Sequence, residues 1–139
     1  MTRRVDNWQF VLASELSKPR RFAWGSDDCC LFASDIIRAL TGVDPAEAFR
    51  GSYSTALGAH KELKRKGYSG VKDLAEKMSI AFGFPAIPVL TAQRGDVALS
   101  NLEGQDTLGV VSDAGGVFIG HNGYVYLHPS KLQKAWRIS

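Results

Sequence analysis

The stretch FAWGSDDCCLFASD, Phe22 to Asp35, decides how this chain reads. It holds the only two cysteines of the 139 residues, side by side, behind two aspartates and at the head of an apolar run. From Cys29 onward, Phe32, Ala33, Ile36, Ile37 and Leu40 recur along one helical stripe, and Gly42 supplies a stop. The spacing predicts an amphipathic helix starting at Cys29 and capped by Asp28, whose carboxylate accepts a backbone N–H two or three residues on. Adjacent cysteines on a helix have Cα atoms about 3.8 Å apart, under the roughly 4.4 Å minimum of an ordinary disulfide. Both are therefore expected as free thiols made in a reducing interior.

A helix amino terminus presents N–H groups and a positive dipole end, and both favour a thiolate. Cys29 shares the stripe of Phe32 and Ile36, so its sulfur is expected to look inward at whatever covers the helix, with Cys30 turned about 100° away. The charge of Asp28 works against the thiolate. Free cysteine is also among the most buried residue types, so the residues alone leave a nucleophile and a plain core side chain both open.

Working outward, Val5, Trp8, Leu12 and Leu16 predict a helix from about residue 5 to Ser17, ended by Pro19. Asp44 before Pro45 predicts one or two further helical turns. Leu57, His60 and Leu63 define one face of a helix stopped by Gly67, and Val71, Leu74, Ala75, Met78 and Phe82 another ending near Gly83. His60 is expected to be partly buried on that face and His128 to lie at a surface strand end. Beyond FPAIPVL the pattern changes: DVALSN, TLGVVSD, GVFIG, YVYLH and AWRIS are short, rich in Val, Ile and aromatics, and separated by turn residues. They read as an antiparallel meander, with Asn122-Gly123 favouring a primed hairpin turn beside His121. The fold class is α+β: one domain over 1–139, with helices over about 5–83 packed on a small antiparallel sheet over about 94–139.

Hydrophobic content of 45% and charged content of 22% are ordinary for a globular domain, and no apolar run approaches the roughly 18 residues that cross a bilayer, so no membrane span is expected. The start MTRRVDNWQF lacks the apolar core and cleavage site of a secretory leader and reads as no export signal. A formal charge of +3, with no aromatics interleaved in AHKELKRKGY, reads as a solvated helix face and predicts no nucleic-acid partner. No metal-ligand spacing and no phosphate loop is present in the sequence, so no metal and no cofactor are expected. Arg94-Gly95-Asp96 reads as a turn into a strand, not as an adhesion motif.

Phe22-Ala23-Trp24-Gly25, a polar spacer, then Asp28-Cys29 resembles the Tyr-x-Trp-Gly … Asp-Cys signature of the NlpC-type cell-wall cysteine peptidases, a papain-like group. QRGDVALS (93–100) resembles that family's entry to its first sheet strand, and TLGVVSDAGGVFIGH (107–121) its following strand pair. Together with TGVDPAEAFRGSYST and the terminal KAWRIS, these motifs resemble a branch of the clan found in phage and prophage tail-gene clusters. The resemblance implies a papain-like fold with Cys29 as nucleophile and Trp24, Asp28 and Thr107 at its binding cleft.

It also shows departures. The family's strand histidine falls at Thr107 or Leu108, neither of which is a base near neutral pH, and the signature tyrosine is Phe22. His121 lies within a residue of the family's third polar position and is the one candidate for a replacement base. Three functions follow as expectations. The first is a structural tail-tip or hub component of a phage or prophage-derived particle, assembled in the bacterial cytoplasm among other tail proteins, with degenerate catalysis. The second is an active cysteine peptidase or amidase on peptidoglycan peptides, and the third an assembly factor that leaves before completion. An amide hydrolase needs a group to protonate the leaving amine, and nothing but His121 offers one.

Overall fold

The computed structural model describes residues 2–139. Four helices, α1 (Trp8–Ser17), α2 (Cys29–Thr41), α3 (Ala56–Arg65) and α4 (Val71–Phe82), precede a six-stranded antiparallel sheet. Its strands are β1 (Ala86–Ile87), β2 (Val97–Leu102), β3 (Gln105–Ser112), β4 (Gly115–Gly120), β5 (Gly123–Leu127) and β6 (Lys134–Trp136). The α+β expectation stands. No helix among the described residues is long and apolar enough to cross a membrane.

Helix α2 organises the core. Its ends form as its residues dictate: Asp28 accepts the N–H of Leu31, and Gly42 takes the left-handed conformation (φ 80°) while its N–H closes on Arg38 O. Leu31, Phe32, Ala33, Ile36, Ile37 and Leu40 are all buried, each worth about 1.5–3 kcal/mol when taken from water if large and aliphatic or aromatic. One flank of this stripe meets Leu12 of α1 with Val110, Val117 and Ile119; the other meets Val97, Leu99, Leu108 and Trp136. The strands alternate accordingly: Ala98, Val111 and Phe118 point to the opposite face and pack on Leu132. Gly109 is required there, because a Cβ would lie 2.4 Å from Val117 O and 2.5 Å from the Phe118 ring.

Several expectations need correction. The sheet is not a simple meander: β2 to β5 follow one another, but β6 returns to the far side of β2, and β1, ahead of the expected sheet start, pairs with β6. Residues 45–50 form turns and no helix. The Asp44 carboxylate accepts the Ala46 N–H and both Nε and Nη2 of Arg50, and Ala46 and Phe49 are buried, so the segment is committed to a compact local turn. In α3 the buried residue is Ala59, while Leu57 and His60 face solvent, because the helix only rims the core. Helix α1 starts at Trp8, three residues late, and the Val5 N–H ahead of it bonds Leu40 O.

The Arg94-Gly95-Asp96 turn is structural, as its sequence suggests. Asp96 is fully buried and accepts hydrogen bonds from Arg4 (2.8 Å), Arg137 (3.0 Å), and the N–H groups of Gln93 (2.8 Å) and Ile138 (3.0 Å). One carboxylate thus ties both chain ends to the start of β2.

Candidate functional site

The loop before α2 is fixed by Asp28. Its carboxylate, 2% exposed, accepts from Leu31 N–H (3.0 Å), Gly25 N–H (3.1 Å) and the Tyr53 hydroxyl. Gly25 has φ 84°, and a Cβ there would sit 1.8 Å from Tyr53 O, so only glycine lets the 51–54 segment close on it; Gly51 N–H then bonds Gly25 O. Burial, followed by the hydrogen bond to the Asp28 carboxylate, pushes the Tyr53 hydroxyl far up, so it stays protonated and donating. Arg20 ties the same loop to α2 through Asp27 and Asp35, at 2.8 Å each. Trp24 is thereby held at the surface, edge-on to Phe22 with ring centres 4.7 Å apart.

Cys29 is the first residue of α2 and turns inward as expected. It packs on the Phe32 and Ile36 side of the core, with the backbone N–H of Leu108 placed to favour its thiolate. The strand pattern explains that donor. Val111 N–H bonds to the residue before β2, so by the two-residue alternation Leu108 N–H points the other way, toward β4. The β3–β4 ladder ends at the Val110–Val117 pair, which leaves the Leu108 N–H without a strand partner and open to the thiol. Cys30 packs toward Leu31, Leu74 and Ala75, yet its sulfur is only 3.9 Å from that of Cys29. Both cysteines are free and partly exposed.

These contacts separate the two thiols. Cys29 is lowered, first by the hydrogen bond from the Cys30 thiol, and further by the Leu108 and Cys30 N–H groups, against burial and the Asp28 charge. Cys30 is raised well above the usual thiol range by donating that bond, by burial and by the negative charges of Cys29 and Asp28.

A cleft of about 1220 Å³ opens over this helix start. It runs between α3 and α4 on one side and the β2–β3 hairpin and β4–β5 turn on the other, and brings Phe22, Trp24, Asp28, Cys29, Thr107 and His121 onto one surface. Shared surface is not shared chemistry. The Thr107 hydroxyl is occupied with Gln105 O on its own strand, at 3.1 Å. His121 is exposed in the β4–β5 turn, its ring 5.3 Å from that of Phe22, and among the described residues no hydrogen bond joins it to Cys29. That turn is His121-Asn122, with neither residue at positive φ and Gly123 at φ 119°, so the primed Asn122-Gly123 geometry is not formed. The lining includes no lysine or arginine, whereas Glu103 and Asp106 stand on its rim. His60 also reaches this rim, exposed and not partly buried as expected, and His128 lies at the surface against Ser130. No group of three or more metal-ligating side chains occurs among the described residues.

The chain belongs to the DUF6950 family. The matching family model, described as a domain of unknown function, covers residues 3–138, the whole of the fold above. No curated protein and no solved structure matches the chain.

Three participants escape sequence reasoning: Tyr53, the Leu108 N–H and the Cys30 thiol. Tyr53 stands in a polar run with no spacing that ties it to Asp28, and a backbone donor freed by strand divergence leaves no residue signature. The arrangement places in a cleft a thiol whose pKa is lowered, with no hydrogen bond to an imidazole among the described residues.

Proposed function

We propose that this protein is a structural component of a phage-type tail tip, built on an NlpC-type papain-like scaffold whose hydrolytic chemistry is lost. The observation that carries the loss is the company of the Cys29 sulfur: the Cys30 thiol at 3.9 Å and, among the described residues, no imidazole in hydrogen-bond contact. Without a base that returns its proton to the departing amine, amide cleavage stalls even from a thiolate. The charge of the cleft agrees, since a cell-wall stem peptide carries free carboxylates and the lining offers no cation to meet them. The place in the tail tip, among other tail proteins, is what the tail-cluster resemblance of WGSDDCCLFASD, RGDVAL and KAWRIS implies. Mass spectrometry of purified particles tests it. The chain is expected in complete tails at fixed stoichiometry; its absence from them would overturn the structural role in favour of a departing assembly factor.

A second reading is an active peptidase or amidase on peptidoglycan peptides with His121 as base. It is favoured by His121 and Cys29 lining one cleft. Muropeptide cleavage abolished by His121→Ala would establish it.

A further inference from the structure

The side-by-side cysteines are still unexplained by that reading, because a nucleophile position needs only one. The helix turns Cys30 into apolar surroundings of Leu31, Leu74 and Ala75, where the polar partner its thiol meets is the Cys29 sulfur, 3.9 Å away. Cys29 sits on the opposite flank, among Phe32 and Ile36, near the Leu108 N–H that the parting strands leave unpaired. Either thiol can donate across that contact, and the Leu108 N–H beside Cys29 favours Cys29 as the one that gives up its proton. We propose that Cys29 and Cys30 form a single two-sulfur site for soft electrophiles, with Cys29 as the nucleophile and Cys30 as the positioning residue that holds its thiolate by donating S–H. The site has reason to use such a donor. Asp28 puts an uncompensated negative charge beside it, and no lysine or arginine lines the cleft, so the anion is held by neutral donors alone. The opposed directions of the two thiols, Cys29 down and Cys30 up, agree with this division of labour. The inference rests on Cys29 occupying the nucleophile position and is independent of whether any amide is cleaved.

With iodoacetamide as the probe, the Cys29 thiolate attacks the methylene carbon; the C–S bond forms as the C–I bond breaks, iodide leaves with the bonding pair, and Cys30 keeps its proton. The test is the pH–rate profile of this alkylation on the full chain, with the modified residue mapped by mass spectrometry. The wild type is expected to react once, at Cys29. Cys30→Ala shifts the profile to higher pH and slows the reaction at pH 7 by about threefold, because roughly tenfold less thiolate is partly offset by the greater nucleophilicity of a more basic sulfur. Cys30→Ser restores the wild-type profile through its hydroxyl. If Cys30→Ala fails to fold, Cys30→Val, which refills the apolar site without a donor, takes its place. Preferential alkylation at Cys30, or coincident profiles for the wild type and the donor-free variant in proteins of unchanged circular dichroism, would overturn the pair. Either result leaves the non-hydrolytic reading standing, while muropeptide cleavage would overturn that reading and leave the pair intact.

Discussion

Asp96 and Asp28 are both buried carboxylates at the threshold of a regular element, β2 in one case and α2 in the other, and they are satisfied in opposite ways. Asp96 is met by two guanidinium groups, Arg4 and Arg137, as well as two N–H groups, so the charge is neutralised where it lies. Asp28 is met by two N–H groups and a tyrosine hydroxyl, all neutral. The first arrangement locks the termini onto the sheet. The second anchors a loop as firmly while leaving a negative charge next to a thiol at the floor of a cleft. An N-cap carboxylate is met by backbone N–H groups as a matter of course, so the helix start needs no cation where the β2 start uses two.

The largest expected effect breaks or upholds that contrast directly. Asp96→Ala strands two guanidinium groups and should cost about 3–5 kcal/mol in urea unfolding, whereas Asp28→Ala, which loses a cap and a neutral network, should cost about 1–3 kcal/mol. Equal losses would erase the distinction. Next, Gly25→Ala forces a Cβ into Tyr53 O at positive φ and should cost about 2 kcal/mol or more. Gly42→Ala, also at positive φ but with open space around it, should cost about 1 kcal/mol. Asp28→Asn keeps the side-chain oxygen for the cap but removes the charge that opposes the Cys29 thiolate, so iodoacetamide should react faster at pH 7 than with wild type. A slower reaction would mean the carboxylate assists the thiolate.

The smallest effect concerns a third carboxylate, Asp44, gripped at the surface by Arg50 at 2.8 and 3.0 Å. The Arg50 hydrogen bonds lower its pKa in the folded chain. The pair therefore adds stability above the unfolded value of about 3.9 and loses it as the pH falls through the lowered folded value. Asp44→Asn should flatten the acid limb of the stability curve in that window and leave neutral-pH slopes unchanged.

What was legible in the sequence follows the range of the interactions. Helix α2, its Asp28 cap and its Gly42 stop are local, and each obeyed its residue type. The inward turn of Cys29 followed from helical phase. Sheet topology was not local: KAWRIS lies beside β2, some thirty residues upstream, because Asp96 and Arg137 draw it there, and no short-range pattern encodes that pairing. The buried face of α3 departs from its spacing for a related reason. Leu57 and His60 have the right spacing for a core face, but the helix sits at the edge of the cleft, where burial is set by what lies opposite. At the site, the position of Cys29 at a helix start could be read from the residues, whereas its neighbours could not. Tyr53 reaches Asp28 only because Gly25 allows the close approach, and the Leu108 N–H lacks a strand partner because β3 pairs with β4 only from Val110 onward.

The central claim of the proposal is that the Cys29 site favours its thiolate but does not break an amide. Product release from purified muropeptides, compared between wild type and Cys29→Ala over extended incubation, tests it most directly. The account predicts identical traces at the level of the uncatalysed background; product formed by the wild type and abolished in Cys29→Ala would contradict it.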